Sequence, residues 1–280
     1  GSNLTYARGV EEDQQSGLWS YADRTKEIAR PGYYSVPLTR YGITAEMTAT
    51  ERVGLHRYTF PANEESALVF DLENGGCFDE AMEVHIEADP ASPQTRVRGW
   101  RFSKGWADDQ KIWFVAELSR PFDSFSVENE KYGRLSFSTS EGEQIMLKVA
   151  LSVTGLEGAS RNLEAELPGW DFEAVRQAAD EKWEAELSKV KVSTADEKTR
   201  KVFYTALYHT MIAPALFCDA DAAKEYTIFS LWDTYRAAMP LYTIIQPERE
   251  GDFINSFLRQ TFFPQFKRDP VTSIFALRHS

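Results

Sequence analysis

Cysteine is nearly missing from this chain: its 280 residues hold only Cys77 and Cys218. The two fall far apart, in segments of different character, which argues against a disulfide-built scaffold and predicts two free thiols. There is also no apolar run long enough for a signal or membrane-spanning helix. Lysine and arginine (31) are outnumbered by aspartate and glutamate (43), leaving a net charge of -12. Nucleic acid, which is bound through clustered basic side chains that displace counterions, is therefore not an expected partner. Histidine is scarce, and neither a Gly-rich phosphate cradle nor a Ser or Cys nucleophile signature occurs.

What is present suits a globular protein. The chain is 42% hydrophobic and 26% charged, enough for a real core, and its length favours two unequal domains over one. Up to about Val153, short segments alternate apolar and polar residues between Gly, Pro, Asn and Asp. Met82, Val84 and Ile86 alternate with Glu83, His85 and Glu87. Similar segments are Tyr33 to Leu38, Ile43 to Glu51, Leu55 to Phe60, Ala67 to Leu72, Ile112 to Leu118, Phe122 to Glu128 and Ile145 to Val153. Their number and spacing predict an antiparallel β-sandwich whose strands bury one face.

After Gly158 the period changes to that of helices. Asp171 is placed to cap a helix carrying Val175, Ala179, Trp183, Leu187 and Val190 on one face. Thr194 with Glu197 predicts a second start, with a buried stripe of Val202, Ala206, Leu207, Thr210 and Met211 up to Pro214. Ser230 and Asp233 signal a helix over Leu231 to Ala238 that Pro240 interrupts or kinks. Pro247 opens another, with Phe253, Ile254, Phe257 and Leu258 as its apolar face. The organisation expected is a β-sandwich over 1–158, a helical linker over 159–193, the first helices of a second domain over 194–260, and a divergent tail over 261–280.

Trp232, Asp233 and Arg236 place an aromatic face, a carboxylate acceptor and a guanidinium donor within about one helical turn. A pyranose offers an apolar face that stacks on Trp and vicinal hydroxyls that pair with a carboxylate and a guanidinium. Spacing alone favours a plainer reading, a buried Trp with an Asp cap and a surface Arg. The stretch Tyr226-Thr-Ile-Phe-Ser-Leu-Trp-Asp-Thr-Tyr-Arg236, with Pro240-Leu241-Tyr242 and Gln246-Pro247-Glu248-Arg249, closely resembles the start of the catalytic domain of glycoside hydrolase family ninety-two. Pro31-Gly-Tyr-Tyr-Ser-Val-Pro-Leu38, Gly42-Ile-Thr-Ala-Glu-Met-Thr-Ala-Thr-Glu-Arg52 and His56-Arg-Tyr-Thr-Phe60 resemble the amino-terminal domain of the same family. The motifs span roughly Pro31 to Gln260.

The resemblance implies an α+β multidomain fold, an antiparallel β-sandwich followed by helices from the start of an (α/α)6 barrel. It implies calcium-dependent, inverting exo-α-mannosidases acting on terminal α-linked mannose of glycans. Trp232, Asp233 and Arg236 match the motif that contacts the terminal mannose, Asp233 and Arg236 on ring hydroxyls and Trp232 shaping the pocket. Inverting hydrolysis needs a protonated carboxyl and a carboxylate held together across the sugar. By the resemblance, both of these and the calcium ligands belong to later barrel segments, so no catalytic residue and no metal ligand is assigned here and the chain is expected to be inactive alone. A periplasmic, secreted or lipid-anchored location is also implied. The alternatives are a non-catalytic carbohydrate-binding or structural module, and a disaccharide phosphorylase of similar architecture.

Other candidates have plainer readings. His56 and His85 are expected to be hydrogen-bonded or solvent-facing, and His209 to be a packing histidine. Asp219 and Asp221 alternate in a loop but are too few for the six to eight oxygens of Ca²⁺. Glu248 and Arg249 read as a helix start with a surface pair. A partial barrel should leave apolar helix faces uncovered, which predicts self-association.

Overall fold

The computed structural model describes residues 20–75, 79–105, 107–227 and 234–262. Eleven strands come first: β1 (Ile28–Arg30), β2 (Tyr33–Leu38), β3 (Ile43–Ala49), β4 (Val53–Phe60), β5 (Asn63–Asp71), β6 (Glu80–Ala88), β7 (Arg96–Lys104), β8 (Gln110–Leu118), β9 (Ser124–Glu128), β10 (Tyr132–Thr139) and β11 (Glu143–Ser152). Among the described residues five helices follow: α1 (Leu156–Glu166), α2 (Phe172–Leu187), α3 (Glu197–Thr210), α4 (Ala238–Ile245) and α5 (Pro247–Phe262). The strands form an eight-stranded sheet in the order β1-β2-β3-β4-β11-β8-β7-β6 and a three-stranded sheet β5-β10-β9, all pairs being antiparallel.

Three layers result, and the large sheet is the middle one. Phe114, Ala116 and Leu118 of β8, with Ile145 and Leu147 of β11, face the small sheet across a core shared with Leu135 and Phe137 of β10. Val115 and Ala150 point the other way, onto Ala159 and Leu163 of α1 and Phe172 of α2. The central strands therefore bury both faces, not the one that alternation predicts. A strand sandwiched between two layers needs apolar residues at every position, as in Val115 and Ala116, both 0% exposed. Burial reaches even Lys148, whose ammonium lies 3.9 Å from the centre of the Trp170 ring.

The sandwich and the expected strands are present, while β1, β7 and β10 have no counterpart among the expected segments. In β7 the arginines 96, 98 and 101 interrupt the apolar signal, although Val97 is fully buried. The helices need more correction. Asp171 does cap α2, its Oδ1 accepting from Ala174 N at 2.9 Å. The cap of α3 is Asp196, not Thr194: its carboxylate accepts from the amides of Lys198 and Thr199, while Thr194 Oγ1 takes only the Asp196 amide. Of the stripe expected on α3, Leu207 alone is buried and Val202 is 61% exposed. Pro240 does not interrupt a helix but sits in the first turn of α4, where a missing amide donor costs nothing. On α5, Phe253 is buried as expected, but Ile254 and Leu258 face out while Glu250, Ser256 and Gln260 face in, as does Gln246 just before it.

Two polar nodes fix the helices to the sheet. Glu166 at the end of α1 accepts from Arg52 Nη1 at 2.5 Å, from the Arg52 amide at 2.9 Å and from Thr50 Oγ1 at 2.6 Å. Asp219 is buried where β11, α1 and the 219–222 turn meet. It accepts from Ser152 Oγ and Asn162 Nδ2, each at 2.9 Å, and from Thr154 Oγ1.

Candidate functional site

The segment from Tyr226 to Arg236 is anchored at its root. Tyr226 pairs with Leu216 in an isolated antiparallel bridge, and Thr227 N donates to Ala215 O at 2.8 Å. The Tyr226 ring packs edge-on against Phe253 of α5 at 4.8 Å, its amide donates to Ser256 Oγ at 3.2 Å, and its carbonyl accepts from Gln260 Nε2 at 3.2 Å. Tyr242 of α4 completes the cluster. Its hydroxyl donates to the carbonyls of Thr210 at 2.6 Å and Ala213 at 3.0 Å, tying α4 to the end of α3. Burial pushes both tyrosine hydroxyls above their ordinary pKa.

At the far end, Arg236 is exposed, and its Nε donates to the Tyr235 hydroxyl at 3.0 Å. Its guanidinium lies 5.4 Å from the centre of that ring, a geometry that orients the planar fork. Trp232 and Asp233 lie outside the described residues. Beneath the anchor, a cavity of about 430 Å³ is lined by Trp183, Met211, Leu216, Tyr226, Tyr242 and Phe253 among others.

Sequence reasoning passed over Glu250, which lies on the inward stripe of α5. It is 9% exposed, its Oε2 has no hydrogen-bond partner among the described residues, and desolvation pushes its carboxyl above the usual carboxylate range. Burial of this kind makes the charged form of Glu250 less favourable than it is in water. Its spacing was the available signal, four residues after Gln246 and three before Phe253.

The remaining candidates resolve simply. The His56 ring shares a 2.7 Å hydrogen bond with the Tyr58 hydroxyl, and burial holds its pKa below the usual histidine value. His85 stacks on Trp100 at 4.4 Å. His209 is not packed: it is exposed and lines a groove between α3 and the sheet. Arg249 does not pair with its neighbour Glu248; it reaches Glu186 of α2 at 2.5 Å. Cys218 is a free thiol, and Cys77 lies outside the described residues.

Calcium finds no fit among the described residues. They hold no group of three or more His, Cys, Asp or Glu side chains able to share a metal ion. The Asp219 carboxylate is taken up by three hydrogen bonds, and Asp221 pairs with Arg161 at 2.9 Å. No described helix is long and apolar enough to cross a membrane.

Two family models cover most of the chain. That of the glycosyl hydrolase family 92 N-terminal domain matches residues 2–152, and that of the family 92 catalytic domain matches 158–266. The match thus begins well before Pro31. A protein of Arthroderma benhamiae described as an uncharacterized secreted glycosidase is 27% identical over 256 residues, covering 77% of this chain and 33% of that protein. A solved family 92 alpha-mannosidase from Bacteroides thetaiotaomicron is 30% identical with a TM-score of 0.79, covering 85% of this chain and 36% of that one. Its complex with mannoimidazole gives 0.81, with 88% of this chain and 36% of that one covered. A human-microbiome protein described as a putative kojibiose phosphorylase, at 12% identity and a TM-score of 0.53, shares the fold alone. The chain spans about a third of the length of these relatives.

Proposed function

Because this chain belongs to glycosyl hydrolase family 92, we propose that it carries one wall of the pocket for a terminal α-linked mannose of a glycan. Trp232, Asp233 and Arg236 form that wall: Trp232 shapes the pocket, and Asp233 and Arg236 bind ring hydroxyls. The observation that carries this reading is the anchoring of the motif. Tyr226, Tyr242, Phe253 and Ser256 hold its root against α4 and α5, and a sugar site needs its polar groups held in place before the ligand arrives. The mannoimidazole complex of a relative at 30% identity supports the sugar class.

Hydrolysis is the work of the whole enzyme. Inversion requires an acid and a base about 6.5–9.5 Å apart with water between them. The acid, the base and the calcium-holding oxygens lie, in this reading, in the part of the relatives' length that these 280 residues do not span. The protein works outside the cytoplasm, in the periplasm, secreted or lipid-anchored, in keeping with its secreted relative.

Two measurements test this. Calorimetry with mannose is expected to show weak binding that Trp232→Ala or Arg236→Ala abolishes; binding unchanged in both variants overturns the wall. Incubation with α-mannobiose and calcium is expected to release no mannose, and appreciable release overturns the incompetence of the chain.

A further inference from the structure

Helix α3 turns a polar and aromatic face toward the sheet across a groove. Lys201, Tyr204, Thr205, Tyr208 and His209 recur at three- and four-residue steps and line a groove of about 1060 Å³, whose opposite wall is the β1–β4 side of the large sheet. That volume is at the upper end of ligand clefts, which run to roughly 1,000 Å³, and leaves room for more than one sugar ring.

The walls are held in place. Trp183 packs edge-on against Tyr208 at 4.8 Å. Its far edge is fixed by Gly32, where a Cβ would come within 3.3 Å of Trp183 Cδ1. The Tyr204 hydroxyl donates to Val190 O at 3.1 Å and accepts from Val192 N at 3.3 Å, which locks that ring.

Charge sets the ligand class. The protein carries a net charge of -12, yet among the described residues no carboxylate lines this groove, while Arg30, Lys201, His56 and His209 do. Four carboxylates bonded to lining residues are already engaged: Asp180 by Arg30 at 2.9 Å, Glu27 by the Tyr34 hydroxyl at 2.7 Å, Glu46 by the Tyr33 hydroxyl at 2.8 Å and Glu166 by Thr50 Oγ1 at 2.6 Å. Lys201 makes no ion pair among the described residues and supplies the groove's uncompensated charge.

We infer that this groove binds an acidic oligosaccharide, with a ring carboxylate at Lys201 and sugar faces against Trp183 and Tyr208. The aromatic rings take the apolar pyranose faces, Thr205 and the imidazoles take hydroxyls, and the Lys201 ammonium takes the carboxylate. A polyanion as large as nucleic acid meets the acidic surface beyond the groove and is disfavoured. None of the groove's lining residues belongs to the proposed mannose wall, so the two are tested independently.

The probe is trigalacturonate, titrated calorimetrically into the full chain, with mannotriose and acetate as controls. Saturable binding is expected, at least about tenfold weaker in Lys201→Glu and several-fold weaker when salt rises from ~50 to ~500 mM. Lys201 is exposed, so both Lys201→Glu and Lys201→Gln are expected to melt like the parent, and Lys201→Gln to fall between the two in affinity. Three results overturn the inference: no saturable binding, affinity unchanged in Lys201→Glu, or acetate competing as strongly as the trisaccharide, which marks an ordinary anion site.

Discussion

Asp219 and Asn162 face each other at 2.9 Å in the interior, each with its side chain fully buried, and join the turn after α3 to helix α1. Asn162 Oδ1 accepts in turn from the Ala220 amide at 2.8 Å, so the pair closes a ring of hydrogen bonds on either side of the 219–220 peptide. A carboxylate so surrounded holds structure together and has no oxygen to spare for a metal.

Asp219→Ala therefore strips the partner from Ser152, Thr154 and Asn162 at once, and a loss of about 3 kcal/mol or more in urea unfolding is expected. Asp219→Asn keeps the shape and one acceptor and should cost about half as much. A loss below about 1 kcal/mol for the alanine variant would show that the node carries little.

Gly32 separates two costs. Its φ is +80°, and a Cβ would lie 3.0 Å from Ala179 Cβ and 3.2 Å from the Ala179 carbonyl carbon. At Gly42, φ is +65° but the nearest atom is 3.7 Å away. Gly42→Ala should cost about 1 kcal/mol of backbone strain alone, and Gly32→Ala roughly 2 kcal/mol or more, the excess being the clash of β2 with α2. Equal melting temperatures for the two variants would remove the clash from the account.

Acid sensitivity is expected from Glu46. Its carboxylate accepts from Arg57 Nε at 2.8 Å, Arg57 Nη2 at 2.7 Å and the Tyr33 hydroxyl at 2.8 Å. The Arg57 hydrogen bonds are the main force holding its pKa below 4.5. The unfolded chain then binds more protons than the folded one between the two values, so this stability is complete above the ordinary value and lost as pH falls through the lower folded one. Glu46→Gln should flatten the decline in unfolding free energy as pH falls below the ordinary carboxylate range; an unchanged slope assigns the acid limb to other carboxylates.

The helical half leaves apolar side chains in solvent: Ile244 is 77% exposed, Ile212 53%, Ile254 47% and Leu258 46%. Apolar side chains left in solvent drive association where they join into one patch. Light scattering of the purified chain is expected to give a mass above the monomer that rises with concentration. Ile244→Glu combined with Ile254→Glu should return it to the monomer. A monomeric parent chain would count against association.

The amino-acid sequence by itself determined what local pattern and motif can carry: a sandwich of antiparallel strands, the Asp171 cap, the anchored Phe253 and the family. Period-two alternation and capping side chains act over a few residues, so they are legible without a fold. Tertiary structure decided which faces meet. It buried both sides of β8 and turned the Lys201 to His209 face of α3 toward the sheet while leaving Val202 outside. It also placed Asp219 in the interior and set Glu250 on a buried stripe. Those outcomes depend on partners tens to more than a hundred residues away, such as Glu166 for Arg52 and Glu186 for Arg249. Burial and charge pairing are properties of the packed layers, and no window along the chain contains them.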